Sequence, residues 1–192
     1  MVPVFAAAAL LLPQGVPSTT LSYGRLLASL WPLARDHRPI RESMIIQALL
    51  WACFNAFWVN LAALLAAGPW HLGSAWAGGF GIVGAGGAFA ASLGGRACDR
   101  IGTRAVVGAS IGIVTLAYLL LYGANASLAF LVLGVIVLDI GVQAGLVSNQ
   151  TRAFAVDPAA QGRINSLYMT ATFFGGAVGT MASGWLMARF GW

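Results

Sequence analysis

Five apolar runs dominate this chain: 43–67, 75–93, 105–123, 128–150 and 164–187. A helix rises about 1.5 Å per residue, so about 20 residues cross the hydrocarbon core of a bilayer. Each run supplies roughly that number. Composition agrees, since 59% of the 192 residues are hydrophobic and only 8% are charged. A soluble domain usually carries about 25% charged residues, and it could not hide this much apolar surface from water. The 25 glycines are spread through the apolar runs rather than gathered in loops. There they let helix backbones approach closely. The expected fold is therefore an all-α integral membrane fold.

The ends of the runs refine this. Residues 1–12 are apolar but number only about a dozen, and Pro13 stops them. No positive charge precedes them, so they do not read as a signal peptide. They read as the end of a transmembrane helix, which gives five full transmembrane helices plus a partial N-terminal one. Residues 14–42 turn polar and carry Pro13 at their edge, Pro17, Pro32 and Pro39, with Arg25, Arg35, Arg38 and Arg41. Within them, Leu26, Leu27, Leu30 and Leu33 fall near helical spacing. That pattern predicts an amphipathic helix over 23–33, lying on the membrane surface.

Charge orients the spans. Nine of the ten arginines lie on one side of the expected topology, and only Arg189 lies on the other. By the positive-inside rule the arginine-rich side is cytoplasmic. Loops 14–42, 94–104 and 151–163 are then cytoplasmic, His71 sits in an outer loop, and a cell (inner or plasma) membrane is the expected location. The net charge of +5 reflects this topology and not a nucleic-acid-binding face.

Several function classes are disfavoured. The chain has no lysine, hence no phosphate-binding loop ending in one, and no nucleotide or other cofactor is implied. Cys53 and Cys98 lack metal-ligand spacing and read as ordinary small residues. Two distant histidines and five scattered carboxylates give little support for an enzyme or a metal site.

One link carries identity: Gly95-Arg96-Ala97-Cys98-Asp99-Arg100-Ile101-Gly102-Thr103-Arg104. Gly102 suits a reversal needing a positive backbone angle. Asp99 suits the start of a helix, and the arginines suit an anionic inner surface. The link resembles the signature loop of the major facilitator superfamily at Gly95, Asp99, Arg100, Gly102 and Arg104, with Arg96 in the same turn. Ala97 stands where that family usually has leucine, and Thr103 where it has a second basic residue.

The resemblance implies more. The span 128–150 lacks an early arginine and carries Asp139, Gln143, Asn149 and Gln150 instead. The five spans therefore resemble helices seven to eleven of that fold, 1–13 the end of helix six, and 14–42 the central cytoplasmic loop. Residues 43–192 would form the C-terminal helical bundle, incomplete. Ser148-Asn149-Gln150-Thr151-Arg152, and Gly162-Arg163-Ile164-Asn165 leading into Gly175-Gly176, resemble the bacterial drug- and metabolite-efflux branch. The implied activity is secondary active transport of a small organic solute, with proton-coupled efflux as an antiporter. The implied partners are the solute, protons, the lipid bilayer and a missing N-terminal half. The alternative is a truncated fragment that is regulatory or does not transport.

Polar groups inside the spans mark the candidate pathway. A carboxylate at a helix centre costs roughly 2.5–3.5 kcal/mol on insertion scales, so Asp139 needs a partner, a wet cavity or a proton. Asp139, Gln143 and Gln150 fall within about 40° on a helical wheel and define one stripe. Asp139 either couples a proton or cation to solute movement, or is a structural carboxyl bonded to a neighbouring helix. Gln47, Trp51, Asn55 and Trp58 share an arc of about 80°. They suit either an amphipathic organic solute or interhelical packing. Gly175 and Gly179, with Gly176 beside them and Ser183 one turn on, form a small-residue face for close helix packing. With half of a carrier absent, these glycines and Asp139 are expected to face lipid and to leave the chain poorly stable.

Overall fold

A computed structural model describes residues 22–67, 71–85 and 87–191. The expected helix end at 1–13 lies outside the described residues. Those described are helical, with α1 at Tyr23–Ala28, α2 at Leu30–Asp36 and α3 at Arg38–Ala67. They continue with α4 at Ser74–Ala85, α5 at Gly87–Ile101 and α6 at Thr103–Tyr122. Two long helices close the described chain, α7 at Leu128–Phe154 and α8 at Gln161–Phe190.

Among the described residues, three helices are long and apolar enough to cross a membrane: Arg38–Ala66 in α3, Thr103–Asn125 around α6, and Leu128–Phe154 in α7. The other two expected spans look different. The run 75–93 falls within two helices, α4 of 12 residues and α5 of 15. α8 has the length, at 30 residues, but carries polar side chains through its first half. Its small and its bulky residues are nonetheless sorted by face. Phe173, Phe174, Met181 and Trp185 are exposed, while Gly175, Gly176 and Gly179 are buried. Small residues inside and bulky apolar ones outside reverse the arrangement of a water-soluble helix.

The expected loops are largely helical. In 94–104 the helix α5 runs on through Ile101 and α6 begins at Thr103, leaving Gly102 as the whole link. In 151–163, α7 extends to Phe154 and a 3₁₀ turn at Pro158–Ala160 leads into α8. The reason is that i→i−4 backbone bonds continue past the last apolar side chain. Charge ends the lipid-facing stripe without ending the helix.

The expected amphipathic helix at 23–33 is two helices. Pro32 has no N–H, and its ring would clash with the carbonyl of Ala28 in a continuous helix. The chain therefore breaks at Ser29, whose hydroxyl donates to the Leu26 carbonyl at 2.7 Å. Pro39 falls in the first turn of α3, where no N–H is needed. Ser127 starts α7 by accepting from the Ala129 N–H at 3.2 Å.

α3 packs chiefly on α8, and α6 chiefly on α7; α5 and α3 both lean on α7. The main core is formed by Leu50, Phe57, Leu61 and Leu65 of α3, Val114 and Leu121 of α6, and Leu131, Val135, Leu138 and Val142 of α7. A second, small core at the arginine-rich end joins Leu33 of α2 and Ile40 of α3 to Ala153, Ala160 and Ile164. Arg152 pairs with Glu42 across that end, and Glu42 also pairs with Arg38 at 2.7 Å. Arg163 donates to Ser29 Oγ at 3.2 Å. The segment of α1 and α2 is thus fastened to the bundle.

Candidate functional site

α7 carries opposite faces. On one, glycines admit neighbours. A Cβ on Gly134 would meet Leu121 of α6 at 2.6 Å. One on Gly141 would meet Ile113 and Val114 at 2.9 Å. One on Gly145 would meet Leu50 of α3 at 2.5 Å. At about 100° per residue, Asp139 points roughly opposite Gly141 and shares its stripe with Gln143 and Gln150. The stripe turns toward α8. Gln150 Nε2 donates to Asn165 Oδ1 at 3.1 Å, and the Tyr168 hydroxyl donates to the Leu146 carbonyl at 2.9 Å.

Asp139 is 5% exposed, and its Oδ2 finds no hydrogen-bond partner among the described residues. The expectation that it faces lipid is therefore corrected. α7 is the most enclosed of the three candidate spans, and the chain's own helices cover the carboxyl. Gln143, one turn along, is half-buried.

A second group of unpartnered polar atoms lies on α3 and α7. Ser43, Gln47 and Asn149 are completely buried, and the Ser43 hydroxyl oxygen and both amides lack partners among the described residues. Two contacts fix the register of these antiparallel helices. Leu50 meets Gly145, and Glu42 meets Arg152. Gln47 and Asn149 therefore sit at one depth, each about one turn along from the Leu50–Gly145 contact and pointing within about 60° of it. An unpartnered buried amide costs about 1–3 kcal/mol, so a polar cluster here is costly unless something polar visits it.

Other expected residues go elsewhere. A Cβ on Gly176 would meet Trp51 at 2.8 Å and Asn55 at 2.9 Å, so both side chains rest against α8. Asn55 Nδ2 donates to its own helix, at the Trp51 carbonyl, at 2.9 Å. Trp51 stacks on Phe54 with centroids 4.9 Å apart, and Phe54 leans on Trp58. Gly175 lies against the backbone of Ala48 and Gly179 against that of Ala52. These glycines are covered by α3, which corrects the expectation that they face lipid.

In the signature-like turn, Arg96, Asp99, Arg100 and Arg104 are exposed, and Gly95 is half-buried. Arg96 and Arg100, with Ala97 and Ile101, border a cavity of about 290 Å³. Asp99 lies in the last turn of α5, and no side chain caps α6. Gly102 takes φ 85° and ψ 151° there. A Cβ at Gly102 would have nothing within 4 Å, so Gly102→Ala tests backbone strain alone. The expected loss is about 1–3 kcal/mol, read as a lowered Tm in mild detergent. An unchanged Tm would show that the turn tolerates a side chain.

Sequence reasoning missed Ser43, Tyr168 and Asn165. Ser43 was visible in principle, because it precedes Gln47 by four residues on the same stripe. Tyr168 and Asn165 carry no such signal, since their partners lie on another helix.

Comparison with known proteins adds the decisive observation. The chain is 31% identical, over 94% of its length, to a protein named uncharacterized transporter YgaY in Escherichia coli O157:H7. It is equally similar to the putative uncharacterized transporter YgaY of E. coli K12. It is 29% identical over 83% of its length to a probable transporter of Streptomyces coelicolor. Its relatives are named as transporters. The chain spans 46% of the E. coli proteins and 37% of the Streptomyces protein. No family model matches, and no solved structure is significantly similar. The relatives' names and the candidate membrane helices together support a membrane protein similar to part of proteins named as transporters.

Proposed function

We propose that this chain is most of the second half of a carrier of the major facilitator type, moving a small organic solute out of the cell in exchange for protons. The observation that carries the reading is Asp139, a buried carboxyl within a candidate span whose Oδ2 has no partner among the described residues. An intramembrane carboxyl is expensive and is retained where it binds a proton, ion or solute. The half-buried Gln143 and the amides of Gln47 and Asn149 supply polar surface for a solute, and α8 supplies a close-packed face that slides. In this reading the turn at Gly102 and the α1–α2 linker lie on the cytoplasmic side of an inner membrane. No cofactor enters this scheme, and no bond of the solute is broken.

The test uses a carrier of the relatives' full length that contains this chain. In everted vesicles, an imposed inward-acid proton gradient should drive solute accumulation, and a protonophore should abolish it. Accumulation that persists after the gradient is collapsed would exclude proton coupling. A native product of 192 residues that neither transports nor pairs with a complementary half would favour a regulatory or non-transporting fragment.

A further inference from the structure

The linker helices α1 and α2 carry two apolar faces, and the bundle uses one. Leu33 is buried in the small core beside Ile40 and Ile164, and Leu26 and Leu30 are half-buried. Tyr23, Leu27 and Trp31 recur at four-residue spacing and remain 78%, 51% and 73% exposed. The next position in that series is Arg35, also exposed. Water does not favour such a ridge. A membrane interface does, because Trp and Tyr sit at headgroup depth with their apolar parts toward the acyl chains.

The ridge ends in a pocket. Trp31, Ala34, Arg35 and Arg41 line a cavity of about 370 Å³ in the elbow between α2 and α3. Arg41 is oriented by the end of α2, donating to the Ala34 carbonyl at 3.2 Å and to the Arg35 carbonyl. That contact neutralises carbonyls that would repel an anion. The segment carries four arginines, Arg25, Arg35, Arg38 and Arg41, against two carboxylates, Asp36 and Glu42. Glu42 is already paired with Arg38 and Arg152, and Asp36 is exposed beside Arg35.

We infer that the elbow of α2 and α3 binds the phosphate of an anionic phospholipid, with Arg35 and Arg41 on the headgroup and Trp31 against its glycerol and upper acyl chain. A basic pocket with an exposed aromatic rim, on the arginine-rich end of a membrane bundle, fits that occupant by charge and by depth. The inference rests on the membrane reading of the helices and is independent of what the protein carries.

Lipid binding to the purified chain is measured in mild detergent by native mass spectrometry, titrating phosphatidylglycerol against phosphatidylcholine. Phosphatidylglycerol should bind more tightly, and Arg35→Gln should weaken it about fivefold. Trp31→Ala should weaken both lipids. Arg189→Gln, an exposed arginine at the opposite end of the bundle, should change neither. Arg35 and Trp31 are both exposed, so unchanged Tm values should accompany these variants. The inference is overturned if phosphatidylglycerol has no advantage, if Arg35→Gln binds as the unaltered chain does, or if Arg189→Gln weakens binding as much. Displacement of phosphatidylglycerol by millimolar inorganic phosphate, with no effect of Trp31→Ala, would mean a simple anion site and would equally overturn it. A carrier that fails to transport would leave the lipid result standing.

Discussion

Gly175→Ala is expected to lose most of the folded chain. The new Cβ would lie 2.6 Å from the Cα of Ala48, and closer still to its carbonyl oxygen. These are backbone atoms, so no rotamer change relieves the clash and α8 has to move off α3. Overpacking costs about 1–3 kcal/mol where side chains can yield, and here they cannot. Gly179→Ala repeats the clash one turn later, 2.6 Å from the Ala52 Cα. The two share one helix pair, so their costs are not expected to add simply. Gly184→Ala is the control in the same helix. A Cβ at Gly184 would have nothing within 4 Å, and alanine is favoured over glycine in a helix by up to about 1 kcal/mol. The same substitution should therefore lower Tm at Gly175 and leave it unchanged or raised at Gly184. Monodispersity on size exclusion and thermal unfolding in mild detergent read both. Equal behaviour of the two variants would mean that α3 and α8 do not pack as described.

The second large effect separates stability from activity. Asp139→Asn removes a charge that costs roughly 2.5–3.5 kcal/mol to place at a helix centre, while keeping shape and hydrogen-bonding capacity. Asp139 Oδ2 has no protein partner to lose among the described residues. The variant is therefore expected to unfold at a higher temperature than the unaltered chain. In a full-length carrier it is expected to lose gradient-driven transport down to the background of empty vesicles. Stability and function then move in opposite directions at one atom, as expected where a buried carboxyl is kept for its chemistry. A structural carboxyl would give the opposite pattern, with lowered Tm and transport kept in the protein that survives. Either result is decisive, because one substitution cannot satisfy both accounts.

The polar residues show where sequence reasoning reaches its limit. Asp139, Gln143 and Gln150 share a stripe by spacing alone, since helix geometry fixes relative direction within one element. Which neighbour that stripe meets is not encoded in the spacing. Gln150 bonds Asn165 of α8, while Asp139 Oδ2 is covered without being bonded among the described residues. Trp51 and Asn55 share an arc with Gln47, yet they are packed on Gly176, and the Gln47 amide is enclosed without a partner among the described residues.

What the sequence determined by itself was what depends on local rules. Apolar run length set where membrane helices can form, arginine placement set their expected orientation, and Gly102 set a reversal; the break before Pro32 went unread, because leucine spacing was followed through it. Each follows from the chemistry of a few neighbouring residues and a solvent. Tertiary structure alone decided which faces met. It placed the α8 glycines on α3, enclosed Asp139 with the chain's own helices, and brought Glu42 to Arg152. It also left the Tyr23–Leu27–Trp31 ridge uncovered, although leucine spacing predicted a single apolar face. Pairing of helices distant in sequence depends on shape complementarity summed over whole surfaces, and no local pattern of residues carries that sum.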